Sequence, residues 1–208
     1  MPSPWVWQEK LHRYRNTATG RFLGAKDMLP LRDKFVAVQK ARMVAVTGQF
    51  TDGKFGLGRW QRDMREAIRT SFIDQYVLAR GGRNMMTPAD WGKIGQMVKG
   101  QNTFLRGFAA DLYAGDLSAA QAQVRAAMYA GASKAAYEKG NAENLGTPDL
   151  PAYPGDGSTV CKSNCACSWE IVSTETGWDC TWSLGAAEHC PDCVDNAANW
   201  NPLHVDKP

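Results

Sequence analysis

The chain has 208 residues, 44% hydrophobic and 22% charged, with a net charge of +3, a composition that leaves room for one medium globular domain and one small one. No apolar run approaches the roughly 20 residues that span a bilayer, and Met1-Pro-Ser-Pro-Trp-Val-Trp7 has no basic segment leading into an apolar core. The expectation is a chain with no membrane partner and no secretory leader, folding inside a cell. The charge is divided unevenly: residues 1–140 carry 22 Lys+Arg against 11 Asp+Glu, and residues 141–208 carry 2 against 10. A basic helical part joined to an acidic part suits nucleic acid or an acidic protein surface, and equally a solvated helical surface rich in arginine.

In chain order, residues 1–25 read as an extended arm or small hairpin, with Thr19-Gly20 as a turn. Trp5, Trp7, Tyr14, Arg21 and Phe22 make it aromatic and basic, a composition that predicts docking on another surface, in cis or on a partner in trans. Residues 26–142 read as four amphipathic helices. The first carries Leu31, Phe35, Val38, Met43 and Val46 at helical spacing, between Pro30 and Gly48. The second places Leu57, Trp60, Met64, Ile68 and Phe72 on one face, arginines on the other, and stops at Gly81-Gly82.

The third helix is announced by Thr87, Pro88 and Asp90, a cap, a first-turn proline and an acid at the positive end of the dipole. Its apolar stripe is Trp91, Ile94, Met97, Phe104, Leu105, Phe108 and Leu112, and Gly95 and Gly100 within it suggest close packing or a kink. Ser118 and Gln121 form a capping box for the fourth, which presents Val124, Met128, Ala132 and Tyr137 and ends at Gly140. Residues 143–160, rich in proline and glycine, read as a linker with defined turns.

Residues 161–208 hold all six cysteines, spaced C-x3-C-x-C-x12-C-x9-C-x2-C. Two alternating segments around Thr174-Glu-Thr-Gly177 predict a β-hairpin, and pairing Trp169 with Trp178 would set Cys167 opposite Cys180. Close-set cysteine groups separated by a hairpin match a tetrahedral structural zinc site, in a mainly α fold with a small Cys-rich zinc-binding β-hairpin module. Candidate ligands are Cys161, Cys165, Cys167, Cys190 and Cys193, with Cys190 and Cys193 the firmest pair; which four bind is open. His189 is an alternative ligand or a hydrogen-bond donor to a ligand sulfur, and Cys180 is either a spare ligand or a packed free thiol. In an exported chain six cysteines would instead allow 15 disulfide pairings. With only His12, His189 and His204, and no His-x-Glu, acid–base machinery is scarce, and no enzyme activity is expected.

The order of these features resembles the minor head, or head-morphogenesis, proteins of tailed bacteriophages and prophages. The residues that carry it are Tyr14-Arg-Asn-Thr-Ala-Thr-Gly-Arg-Phe22, Trp60-Gln-Arg-Asp-Met-Arg65, Gly81-Gly-Arg83, Met86-Thr-Pro-Ala-Asp-Trp-Gly92, Leu105-Arg-Gly-Phe108 and Gly115-Asp-Leu-Ser118. Leu150-Pro-Ala-Tyr-Pro-Gly-Asp-Gly-Ser-Thr159, Cys161-Lys-Ser-Asn-Cys-Ala-Cys167, His189-Cys-Pro-Asp-Cys193 and Trp200-Asn-Pro-Leu203 complete it. The resemblance implies a virion component present in few copies, in the host cytoplasm during assembly, that binds capsid or portal proteins and reaches packaged DNA. It supplies no catalytic residues and no small-molecule substrate. The competing readings are a zinc-containing nucleic-acid-binding protein that uses its basic helices and, remotely, a zinc-dependent enzyme.

Overall fold

The computed structural model describes residues 4–11, 13–24 and 26–207; residues 1–3, His12 and Ala25 of the expected arm lie outside the described residues. The chain opens with a three-stranded antiparallel sheet of β1 (Trp5–Gln8), β2 (Arg13–Asn16) and β3 (Phe22–Leu23). Five helices follow: α1 (Leu29–Thr51), α2 (Leu57–Ala79), α3 (Pro88–Ala114), α4 (Ala119–Ala132) and α5 (Lys134–Leu145). A second antiparallel sheet, ordered β4 (Ser168–Ser173), β5 (Gly177–Ser183) and β6 (Leu203–Asp206), holds α6 (Pro191–Asn199) between its last two strands in sequence.

Three of the four arm aromatics dock on the chain's own body. Trp5, Trp7 and Tyr14 are buried against Met28, Leu78, Ala79 and Tyr137 of the chain's own helical body. The Tyr14 hydroxyl donates to the Ala79 carbonyl at 2.6 Å and the Trp7 amide to that of Gly81 at 3.0 Å. Gly81 makes this possible: its φ is +81°, and a Cβ there would stand 2.2 Å from that of Trp7. The apolar rings that suggested docking therefore satisfy themselves in cis, and only Arg21 and Phe22 of the five stay exposed.

Trp60, Met64, Ile68 and Phe72 of α2 lie on the core face, as the spacing predicts, with Ile94, Leu105 and Phe108 of α3. Trp60 donates from Nε1 to Thr47 Oγ1 at 3.0 Å and meets Phe108 edge-on at 5.0 Å. The capping boxes at Thr87/Asp90 and Ser118/Gln121 both form. Asp90 also accepts from the Tyr76 hydroxyl at 3.0 Å and from Arg80 Nε at 3.2 Å, which locks the start of α3 onto the end of α2.

Four helical expectations change. Gly48 does not end α1, which continues to Thr51 and stops before Gly53 at φ +72°; Gly48 instead leaves space for the Gln123 side chain of α4. Gly95 and Gly100 face open space, so they mark neither close packing nor contact with another element. Phe104 on α3 is 66% exposed. The predicted fourth helix is two helices, broken at Ser133, whose hydroxyl donates to the Ala130 carbonyl and accepts from Ser71. Its core face is Ala122, Ala126 and Ala130 with Tyr129, while Val124 is 68% exposed. Small residues let α4 lie close on α1, which a stripe chosen by hydrophobic size misses.

The Pro/Gly-rich segment is packed rather than loose. Leu150, Ala152 and Tyr153 are buried with the tryptophans of the second sheet. Trp169 Nε1 donates to the Ala152 carbonyl and Trp178 Nε1 to that of Leu145, both at 2.9 Å. The hairpin forms in a different register: Trp169 pairs with Trp182, and Cys180 with Ile171. The turn forms at Thr174–Gly177 as the sequence suggests, closed by N–H···O bonds of 2.9 and 3.0 Å between Thr174 and Gly177, and a turn there sets Trp169 opposite Trp182 rather than Trp178. The partner of each residue moves by four, an even step that keeps every side chain on its face. Gly177 also admits β6, whose Val205 carbonyl oxygen would lie 2.1 Å from a Cβ there.

The two parts meet at a buried ion pair. Arg32 of α1 and Glu138 of α5 join at 2.6 Å with side chains 4% and 1% exposed, and the second Glu138 oxygen accepts the Trp169 amide of β4 at 3.1 Å. One carboxylate thus fixes two helices and a strand.

Candidate metal centre

Local structure delivers the cysteines from three directions. Asp156 accepts the amides of Tyr153 and Ser158 at 2.7 and 2.8 Å, closing the turns around Gly155 and Gly157 that lead to Cys161. A single helical turn, Lys162–Asn164, then carries the chain to Cys165, with Lys162 in the left-handed region at φ 48°. This loop lies directly on α4, where Gly131 has no side chain to collide with the Ser163 carbonyl 2.5 Å from its Cβ position. Cys167 leads into β4. Cys190 stands at the start of α6, Pro191 occupies the first turn, and Cys193 is buried three residues after Cys190. Asp192 accepts the Val160 amide at 2.8 Å and so ties the start of α6 to the approach to Cys161.

The sulfurs of Cys161, Cys165 and Cys193 lie within 4.8 Å of one another, with Cys193 Sγ 3.6 Å from Cys161 and 3.7 Å from Cys165. Tetrahedral coordination by thiolates about 2.3 Å from a metal ion sets sulfurs about 3.8 Å apart, so this triangle could hold one. The other two candidate thiols, Cys167 and Cys190, lie outside this group of mutually close sulfurs. His189 places Nδ1 3.9 Å from Cys167 Sγ, while its Nε2 sits 2.9 Å from the Gly185 carbonyl. That carbonyl accepts the Nε2 proton and leaves the Nδ1 lone pair facing the sulfurs.

The electrostatics suit thiolates at Cys167 and Cys190. Cys167 is lowered to about 5, first by hydrogen bonding from Cys165, and against burial by Cys193, the Gly185 amide and the Trp182 indole. Cys190 is also lowered: burial opposes ionisation, and the amides of Cys193 and Cys161 outweigh it. Cys165 is pushed above the ordinary thiol range chiefly by its contact with Cys167, and Cys193 chiefly by burial. A cation bound at this cluster would displace protons from its thiols.

Cys180 is not brought to the cluster. It is fully buried, paired with Ile171 and Leu203, and pushed up to about 11 by burial. Trp169 stacks on Trp200 and meets Trp182 edge-on, with ring centroids 5.2 to 5.7 Å apart across the three tryptophans, which share one apolar core with Cys165, Cys167 and Cys193. The sequence reading missed α6 and β6. Pro191 as a first-turn residue followed by Asp192 was the signal for α6; β6 is four residues with no turn signature after it.

A second feature lies on the helical body. Arg42 of α1, Arg62, Arg65 and Arg69 of α2, and Val98 and Asn102 of α3 line a groove of about 710 Å³ together with Asp63 and Glu66. Asp63 is engaged by Arg59 and Arg62 at 3.5 and 3.9 Å. No helix among the described residues is long and apolar enough to cross a membrane. Compared with protein-family models, with curated proteins and with solved structures, the chain matches none of them.

Proposed function

We propose that this chain is a structural and assembly protein of a tailed-phage head, acting by protein–protein contacts in the capsid or at the capsid–portal junction, with zinc as the ion held by its thiol cluster. The observation that carries the structural role is the sulfur triangle itself. Cys161, Cys165 and Cys193 come from the packed segment, the strand approach and α6, so an ion there staples three segments that share only a small tryptophan core. All-thiolate coordination is the chemistry of a structural zinc ion, whereas a catalytic one keeps a position for water. The setting in a phage head rests on the order of motifs along the chain. The exposed Phe104, Tyr113 and Val124 of α3 and α4 add apolar surface suited to protein contacts.

Coexpression with the portal and major capsid proteins of the same genome tests this reading. The chain should cosediment with procapsids or portal rings in a few copies each; a chain that stays monomeric and leaves both assemblies unbound contradicts it.

One observation favours a second reading, contact with nucleic acid. The groove gathers four guanidinium groups from two helices against two carboxylates. Arginines so placed bind phosphates with an affinity that falls steeply with salt, by a slope of about −0.9 per phosphate neutralised. Anisotropy titration of a labelled DNA duplex should give a slope that the triple variant Arg62→Ala, Arg65→Ala, Arg69→Ala makes shallower. Binding that is insensitive to salt, or unchanged in that variant, removes this reading.

A further inference from the structure

The two ends of this chain carry opposite charge, and each leaves part of it uncompensated. On the helical body, Arg42, Arg62, Arg65 and Arg69 are exposed along the groove formed by α1, α2 and α3. Arg62 reaches Asp63, but Arg42, Arg65 and Arg69 have no ion-pair partner among the described residues. Guanidinium groups gathered in one concavity repel one another and concentrate a positive potential there, which an anionic partner relieves. In the C-terminal module, residues 163–206 contain seven acids and no lysine or arginine. Some of these carboxylates are engaged within the module: Asp179 and Asp206 face His204, and Asp192 accepts the Val160 amide. Glu188 and Asp195, flanking the first turn of α6, are exposed, and their carboxylates have no partner among the described residues. Val194, next to Asp195, is 49% exposed.

We propose that the groove is the docking site for the α6 end of a second copy of this chain, with Glu188 and Asp195 of one protomer on the unpaired groove arginines of the next and Val194 against Val98. The chain does not make this contact with itself. Its module is held on α4 and α5: Glu138 takes the Trp169 amide, the Leu145 carbonyl takes Trp178 Nε1, and Gly131 lies under the Ser163 carbonyl. No residue of the module lines the groove. Charge complementarity selects the occupant. Residues 1–140 carry 22 basic groups against 11 acidic ones and residues 141–208 carry 2 against 10, so every copy brings both halves of the contact in equal number. Groove and module are different surfaces, so the contact is heterologous. Two joined copies leave one groove and one module free, and association proceeds to a ring or an open chain rather than stopping at a dimer.

The contact needs neither the identity of the metal nor a head partner, and it uses the same arginines as the nucleic-acid reading, so it is tested without nucleic acid. The full chain, purified without chelator and freed of nucleic acid, is followed by sedimentation velocity over a range of concentrations. At about 50 mM salt its average mass should rise above the 22.9 kDa of one chain and pass that of a dimer. At about 500 mM, where the screening length is about 4 Å, the apparent association constant should fall at least about tenfold. Arg65→Glu, Arg69→Glu and, separately, Glu188→Lys, Asp195→Lys should each be monomeric alone. An equimolar mixture of the two should associate again, because acid meets base in both contacts open to them. Arg65→Ala, Arg69→Ala, at exposed side chains without partners, keeps the groove readable where a charge-reversed variant does not fold, and should also weaken association. A chain that stays monomeric at low salt, a closed dimer that survives high salt, or association unchanged in the alanine variant overturns the contact and leaves the nucleic-acid reading to its own titration.

Discussion

Replacing Glu138 by alanine should be among the most damaging single changes in the chain, although the residue is far from any surface. Its carboxylate is 1% exposed, pairs with Arg32 at 2.6 Å, and takes the Trp169 amide at 3.1 Å. Glu138→Ala strands a buried guanidinium, which costs about 3–5 kcal/mol, and orphans a buried amide at a further cost of about 1–3 kcal/mol. Asp33, 3.0 Å from Arg32 Nε, remains as a half-exposed partner and holds the sum toward the lower end. Against a total stability of about 5–15 kcal/mol, the variant should be near the edge of folding. Glu138→Gln keeps an acceptor for the Trp169 amide and should lose less. The double variant Arg32→Met, Glu138→Leu removes both charges together and should recover most of the loss, since apolar replacement of a buried pair is often neutral. Urea unfolding followed by tryptophan fluorescence measures all three. A loss below about 1 kcal/mol for Glu138→Ala, or no recovery in the double variant, refutes the reasoning.

Three further outcomes follow from the packing and the charges. Gly81→Ala forces a side chain into a position at φ +81° already filled by Trp7, so it should release the first sheet and cost about 1–3 kcal/mol, seen as increased proteolysis ahead of α1. Cys180→Ala should leave metal content unchanged while lowering the melting temperature by a few degrees, because Cys180 is buried among apolar residues outside the cluster; a fall in bound metal would place it among the ligands. His204 is raised above its ordinary value of 6.5, first by its hydrogen bond to Asp179 and then by Asp206. A raised imidazole favours the folded form below about 6.5 and loses that contribution as pH rises through the raised value. The clasp between β5 and β6 should therefore loosen on the alkaline side, and Asp179→Asn should return the NMR titration midpoint of His204 to its ordinary range.

Local signals in the sequence carried far. The caps at Thr87 and Ser118, the α2 stripe through Trp60 and Phe72, and the stop at Gly81-Gly82 are each set by neighbours within one or two turns, and they form where the residues predict them. Decisions made by distant contacts were not legible. The aromatic arm finds its surface on Leu78, Ala79 and Tyr137, more than 60 residues away, so its exposure could not be read from its own composition. Helix α4 buries alanine rather than valine and methionine, because close approach to α1 outweighs hydrophobic size. The hairpin turn at Thr174–Gly177 was legible and itself requires Trp169 to pair with Trp182, which the expected register missed; the Arg32–Glu138 tie joins residues that carry no motif. In the site, spacing was enough to name Cys161, Cys165 and Cys193, since close-set cysteines have few geometries open to them. The separation of Cys167 and Cys190 from that group, and the facing of His189, required the fold.

The most direct test of the metal staple is a paired measurement on one preparation of the full chain made without chelator: bound zinc by elemental mass spectrometry and free thiols under denaturing conditions. A metal-stapled module gives zinc in at least stoichiometric amount with all six cysteines titrating as free thiols. Absence of metal together with thiols lost to disulfides would contradict it and would make the cysteines covalent cross-links.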